Sequence, residues 1–472
     1  MSIEFKGGIG MSEGIKIVTI GGGSSYTPEL IEGYILRKDQ LPIKEIVLVD
    51  IEEGREKLET VGAMAQRQVE AAGLDWKVTL SFDRFSALEG ADFVTTQFRV
   101  GMLDARVKDE RIPLSNGYLG QETNGAGGIL KAFRTIPVIG EIIADMREQC
   151  PDAWLINFTN PAGMVTEAAI KHFGWKRTIG LCNVPINHTK TEAKILGIPE
   201  EELFFQYAGI NHFHWHKVWD NKGNEVTDQV IEKVYTNIAQ ESDLENIHDA
   251  AFQYEQIKDM QMLPCGYHRY YYAAPEMLED AIKDFENGET RAQVVKATEK
   301  RLFELYKDPA LNYKPEELSQ RGGTHYSDAA CEVIASIYND KGTEMVVSIE
   351  NNGTISDLPY DCVVEVTAKI TAKGAVPFNW GAFDPATRGI LQLMKGMEET
   401  SIQAAIDGDY NKALHAFIIN PLAPSGLKAK ELLDQLLYAH KDHLPQFSTK
   451  INEIVEKQPE TVSYIDELMK SN

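Results

Sequence analysis

The run Lys16-Ile17-Val18-Thr19-Ile20 passes straight into Gly21-Gly22-Gly23-Ser24-Ser25-Tyr26-Thr27-Pro28, and that junction constrains the fold more than any other stretch. The first part reads as a short buried strand. Thr27 is placed to cap a helix whose first turn holds Pro28 and Glu29, both favoured there. Glycines let a backbone approach a pyrophosphate, and a helix N-terminus offers it unpaired N–H groups. A second strand, 45–49, ends at Asp50, where a carboxylate can bond the ribose hydroxyls of NAD. The third glycine of the dinucleotide fingerprint is replaced by Tyr26. The glycines alone are therefore also consistent with a tight turn.

The order of elements downstream supports the dinucleotide reading. Apolar strands near 78–82, 92–98 and 154–158 alternate with helical stretches near 54–72 and 128–147, the pattern of a doubly wound parallel sheet. The expectation is an α/β fold, with a Rossmann-type domain over 14–200 and a mixed α+β domain over 201–472. In the second part, strands are expected at 203–208, 213–218, 345–349 and 363–370, and helices at 244–259 and 274–306, then mostly helix. Residues 1–14 read as a loose arm and 453–472 as a polar helical tail. No flexible linker interrupts the chain, which places a ligand cleft between the two parts.

Of the 472 residues, 47 are Lys or Arg and 71 Asp or Glu, a net charge of −24. Such a surface repels nucleic acid and anionic lipid. A small anionic substrate would need arginines gathered locally, which makes single arginines informative. No long apolar run or signal-peptide pattern is present, so the expectation is a cytoplasmic protein without membrane contact. The cysteines, at 150, 182, 265, 331 and 362, are odd in number and irregularly spaced, against a disulfide framework or a CxxC zinc site.

Ligands of such sheets bind beyond the carboxyl ends of the strands, and the residues there are unusually polar. They include Arg99, Arg106, Gly120-Gln121-Glu122-Thr123-Asn124-Gly125, Asn157-Phe158-Thr159-Asn160-Pro161 and Cys182-Asn183-Val184-Pro185, joined later by Gly209-Ile210-Asn211-His212. A thiolate and an imidazole are metal ligands, although a free cysteine is more often a small buried hydrophobe. His214 and His216 share a strand face with His212 and read as satisfied sheet histidines rather than a three-histidine metal site. The tyrosines of 264–272 read as packing, and Arg291 as a solvated residue in a first helical turn.

Assembled in order, these motifs resemble glycoside hydrolase family 4, the NAD- and divalent-metal-dependent 6-phosphoglycosidases. The resemblance covers nearly the whole chain, from Gly21 to Glu350-Asn351-Asn352-Gly353. It implies a Rossmann-type domain related to lactate and malate dehydrogenases. It implies that Gly21, Gly22, Gly23, Ser24, Asp50 and Asn157 hold NAD⁺, that Cys182 and His212 bind Mn²⁺, and that Asn183 touches substrate or metal. Tyr267 matches the catalytic base, with Glu122 the carboxylate that assists it, while Arg106, Asn160 and Arg291 match positions that hold the phosphorylated sugar. The implied route passes hydride from C3 of the sugar to NAD⁺, removes the C2 proton, expels the C1 leaving group, adds water and returns the hydride.

Members acting on α-linked substrates typically carry Cys-Asp-Met-Pro, where this chain has Cys182-Asn183-Val184-Pro185. An amide cannot serve as the aspartate's proton donor. The asparagine form resembles the 6-phospho-β-glucosidase branch, with a substrate such as cellobiose 6-phosphate and a homodimer or homotetramer as the assembly. The alternatives are a 6-phospho-α-glucosidase or α-galactosidase of the same family, a NAD-dependent 2-hydroxy acid dehydrogenase of the lactate/malate class, and a NAD-binding protein with a dead site. A dehydrogenase would accumulate NADH and the hydrolase none.

Overall fold

The structure, a computed structural model, describes residues 14–235, 252–321 and 326–470. Most of the expected N-terminal arm, the first part of the helix expected at 244–259, the Gly322-Gly323-Thr324-His325 stretch and the last two residues of the tail lie outside the described residues.

The parallel strands are β1 (Ile15–Ile20), β2 (Ile43–Val49), β3 (Lys77–Ser81), β4 (Phe93–Thr96), β5 (Trp154–Asn157) and β6 (Thr178–Gly180). They lie in the order β3-β2-β1-β4-β5-β6, every neighbouring pair parallel. This is the strand order of dinucleotide-binding sheets, and it reverses between β1 and β4, where such sheets open a crevice. The chain thus has the expected Rossmann-type fold. β4 is buried along its whole length, and β1 and β2 nearly so, because helices cover both faces of a parallel sheet. Edge strand β3 is partly exposed and carries a Lys77–Glu45 ion pair, one way of blunting an edge.

The second half does not build a separate sheet. The strands β7 (Leu203–Ile210), β8 (Phe213–Asp220), β9 (Leu263–Pro264), β10 (Thr343–Glu350), β11 (Val363–Thr371) and β12 (Gly374–Pro377) continue the first one. They are joined to it where β10 pairs with β6 in antiparallel register, Ser348 opposite Gly180. β10 thereby covers a parallel edge that would otherwise lie open.

Two local expectations are corrected. The helix read over 274–306 is two helices, Ala274–Asn287 and Arg291–Tyr306: Gly288 stops the first in the left-handed conformation, and a capping box of Thr290 and Gln293 starts the second. Thr27 does not cap. It is the first residue of the helix Thr27–Ile35, and its hydroxyl donates to the Gly22 carbonyl at 2.7 Å, stitching the glycine turn to the helix.

Helix Ala126–Gln149 runs through the centre, packed against helix Met102–Ser115 and helix Pro385–Asp407. Within it Arg134 grips Asp109 with two parallel hydrogen bonds of 2.9 and 2.6 Å, and His440 Nε2 lies 3.0 Å from the same carboxylate. All three are buried, and this ion cluster fixes the C-terminal helices to the central layer. No described helix is long and apolar enough to cross a membrane.

Candidate active site

The glycine turn is built on β2. Gly21 and Gly22 both donate their N–H to the Val49 carbonyl, at 2.9 and 2.8 Å, with Gly21 at φ 85°, where only glycine is at ease. The Gly23 N–H donates to Asp50 Oδ2 at 2.8 Å, and a Cβ on Gly23 would lie 2.7 Å from that oxygen. Sequence and geometry agree here: the turn is pressed so close to the acidic residue that a side chain has no room. Tyr26, in place of the third glycine, lies under the Arg321 guanidinium, 4.8 Å from the ring centroid.

A cleft of about 560 Å³ starts at Gly21, Gly23, Ser24 and Asp50 and reaches Asn160, Asn183, His212 and Tyr267, a volume ordinary for a cofactor or small-ligand site. Asn157 stands apart from it. Its side chain is buried and wholly engaged, Oδ1 accepting from Thr96 and Thr159 and Nδ2 directed at Thr159, Ala162 and Thr166. The side chain of Asn157 shapes the loop that presents Asn160. Asn160 does face the cleft, and its Oδ1 is buried without a partner.

Glu122 projects into the cleft between three cations, Arg99 at 2.8 Å, Lys131 at 3.1 Å and Arg106 at 3.3 Å. Although burial opposes it, Arg106, Lys131 and Arg99 hold its carboxyl well below the usual range. Glu122 is thus a fixed anion. Burial, aided by Arg99 and opposed by Glu122, brings the Lys131 ammonium down to about 7. Sequence reasoning missed Lys131. The available signal was a lysine inside the otherwise apolar Ile129-Leu130-Lys131-Ala132-Phe133.

Cys182 follows β6 and Asn183 takes the N-cap position of helix Val184–Leu196, without a side-chain cap bond. Cys182 is buried, and burial, then Glu365, pushes its thiol well above the ordinary range, while the Val184 backbone and the Asn211 side chain pull the other way. His212 sits at φ 60° in the hairpin between β7 and β8, a conformation uncommon for a non-glycine residue. Its ring stacks on Tyr267. Burial holds the His212 imidazole down to about 4, and Nδ1 is buried without a partner. A neutral imidazole with an unpartnered nitrogen facing the cleft suits a divalent cation, and Cys182, two residues after β6, lies outside the cleft lining itself.

Behind this pair lies a second residue that sequence reasoning missed. Glu365, on β11, accepts from Asn211 Nδ2 at 2.9 Å through one oxygen and lies 3.2 Å from His214 Nδ1 through the other. Against the penalty of burial, Cys265 and Glu365 push His214 up to about 10. His214 is thus ion-paired with Glu365, the carboxylate that also accepts from Asn211, whereas His216, expected to be satisfied likewise, keeps a buried Nδ1 without a partner. The signal was an acid inside Val363-Val364-Glu365-Val366.

Arg106 and Arg291 line a smaller cavity of about 60 Å³ that shares Arg106, Glu122 and Tyr267 with the main cleft. Arg106 Nε donates to Glu110 at 2.7 Å, and the other Glu110 oxygen accepts the Ala292 N–H at 2.6 Å. One carboxylate therefore sets both the arginine and the start of the helix that carries Arg291. The structure brings together Arg106, Glu122, Asn160, Asn183, His212, Tyr267 and Arg291 around two adjoining cavities.

Comparison with known proteins agrees with this geometry. Residues 16–198 match Family 4 glycosyl hydrolase and residues 207–423 match its C-terminal domain. The chain is 51% identical to the "Probable 6-phospho-beta-glucosidase" of Bacillus subtilis over 93% of its length and 100% of the relative's. It is 46% identical to the 6-phospho-beta-glucosidase of Escherichia coli over 94% of its length and 99% of the relative's. Among solved structures, the 6-phospho-beta glucosidase from Thermotoga maritima, with manganese, NAD⁺ and glucose-6-phosphate, superposes with a TM-score of 0.82 at 34% identity, covering 91% of this chain and 99% of that one. Sheet order, cleft and sequence converge, and the chain belongs to family 4 of the glycosyl hydrolases.

Proposed function

We propose that the protein hydrolyses 6-phospho-β-glucosides, such as cellobiose 6-phosphate, by oxidation at C3, elimination across C1 and C2, addition of water and re-reduction, with NAD⁺ and Mn²⁺ as cofactors. The observation that carries the proposal is the single cleft joining the Gly21–Asp50 turn to His212, Asn183 and Tyr267. When bound there, NAD⁺ supplies a reversible hydride acceptor and Mn²⁺ a Lewis acid for the sugar oxygens.

The remaining roles belong to the chain. Cys182 and His212 hold the metal, and Asp50 and the glycine turn hold the dinucleotide. Arg106, Arg291 and Asn160 hold the sugar phosphate, guanidinium forks being matched to phosphate geometry. Tyr267 takes the C2 proton. Burial, then Tyr270, Cys182 and Glu122, push its ionisation well above that of an ordinary tyrosine, so Tyr267 becomes a base only beside added positive charge. Glu122 keeps Arg99, Arg106 and Lys131 in register around the substrate. Asn183 donates no proton as an acid would. Expulsion of the aglycone then rests on electron push from the deprotonated C2 side, with water as its proton source.

The assay is release of 4-nitrophenol from the α- and β-linked 4-nitrophenyl glucoside 6-phosphates. Release is expected from the β-linked compound alone, only with NAD⁺ and Mn²⁺, and without net NADH. Activity that survives chelation and removal of NAD⁺ would overturn the mechanism, and preference for the α-linked compound would overturn the substrate.

A further inference from the structure

We propose that His188, Glu192 and His216 form a second divalent-metal site, of zinc-binding character, that clamps the helix following Cys182-Asn183 to the strand that follows His212.

His188 and Glu192 are four residues apart on helix Val184–Leu196 and so project from one face. His216 comes from β8. Each of the three offers one ligand atom, and these atoms all lie within 4.8 Å of one another. His216 Nε2 is 2.9 Å from both Glu192 oxygens, and the rings of His188 and His216 stack at 5.8 Å. One wall is fixed by Tyr207, whose ring stacks on His216 at 4.3 Å and whose hydroxyl donates to the Pro185 carbonyl at 3.2 Å.

Hydrogen bonding within the chain does not complete this cluster. Nδ1 of His188 and Nδ1 of His216 are both buried without a partner, and a buried unpaired polar atom is costly. Among the described residues, the one ion-pair partner recorded for Glu192 is His216, which burial itself holds neutral. Burial drives Glu192 well above its ordinary range and His188 and His216 well below theirs. A bound dication would hold a carboxylate and two neutral imidazoles in the forms that coordination requires. Two imidazoles and a carboxylate, with a fourth position for water, form a zinc-type donor set. None of the three lines the catalytic cleft, so this site is distinct from the one assigned to Cys182 and His212.

The test is zinc content of the full chain after equilibrium dialysis against Zn²⁺, measured by elemental mass spectrometry in a Cys182→Ser/His212→Gln background that removes the cleft ligands. The background protein is expected to retain an equivalent of zinc per chain and to show a zinc-dependent rise in thermal midpoint. Adding Glu192→Gln or His188→Asn should abolish both, with circular dichroism and NAD⁺ binding unchanged. His188→Asn changes a half-buried helix position and guards against a fold defect. A background protein that keeps no zinc and shows no midpoint shift overturns the proposal, as does zinc retained by both folded variants. Wild-type chain that binds metal only through Cys182 and His212 is the same negative result.

Discussion

The imidazole of His212 lies flat on the phenol of Tyr267, ring centroids 4.0 Å apart and planes 8° from parallel. The residue assigned to the metal and the residue assigned to the proton are thus one packed unit. Tyr267→Phe keeps the stack and removes only the hydroxyl. We expect kcat to fall by about 10²–10⁴, the range for loss of a general base, while Mn²⁺ affinity measured by paramagnetic resonance titration stays unchanged. Wild-type turnover in this variant would remove Tyr267 from the chemistry.

Glu122→Gln leaves Arg99, Arg106 and Lys131 without the carboxylate they share, Glu110 remaining only to Arg106. The expected result is a stability loss of about 3 kcal/mol, as for a broken buried ion pair, together with a large fall in kcat/KM. Denaturant unfolding reads the first and the nitrophenyl assay the second. Unchanged unfolding would mean that the three cations are not held by Glu122.

Lys131 loses its proton near 7. Below that pH its ammonium pairs with Glu122; above it only the two arginines do. The kcat/KM profile should therefore carry an inflection near pH 7 that Lys131→Met abolishes. The sign for stability is separate: the folded value lies below the 10.5 of a free lysine, so the group opposes folding fully below about pH 7, and the opposition fades as pH rises from 7 toward 10.5. Superimposable profiles for wild type and variant would assign the inflection elsewhere.

Asp109→Asn tests the framework. It removes the charge gripped by Arg134 and approached by His440, and leaves the guanidinium buried. We expect a loss of about 3–5 kcal/mol, read by denaturant unfolding, with NAD⁺ affinity intact if the variant folds.

The parallel half was legible because both faces of its central strands are covered, so strands such as β1 and β2 are largely apolar runs that end at the glycine turn and at Asp50. The glycine turn was legible because close approach to Asp50 excludes side chains. Helix 274–306 was misjoined because its apolar periodicity resumes after Gly288, and only the local capping chemistry of Thr290 and Gln293 separates the two. Lys131 and Glu365 were overlooked because their partners, Glu122 ahead of the central helix and Asn211 in the turn after the neighbouring strand β7, are brought near by folding. The partners of Asn157 are local by contrast: Thr159, Ala162 and Thr166, near it in sequence, take up its amide.

The seam between β6 and β10 has a mechanical consequence. A hinge that parted the parallel half of the sheet from its antiparallel continuation would have to shear the pairing of Gly180 with Ser348, two residues upstream of Cys182. The enzyme is in this respect a continuous plank, not a pair of jaws. The backbone that leads into Cys182 is thereby held between the parallel half of the sheet and its antiparallel continuation.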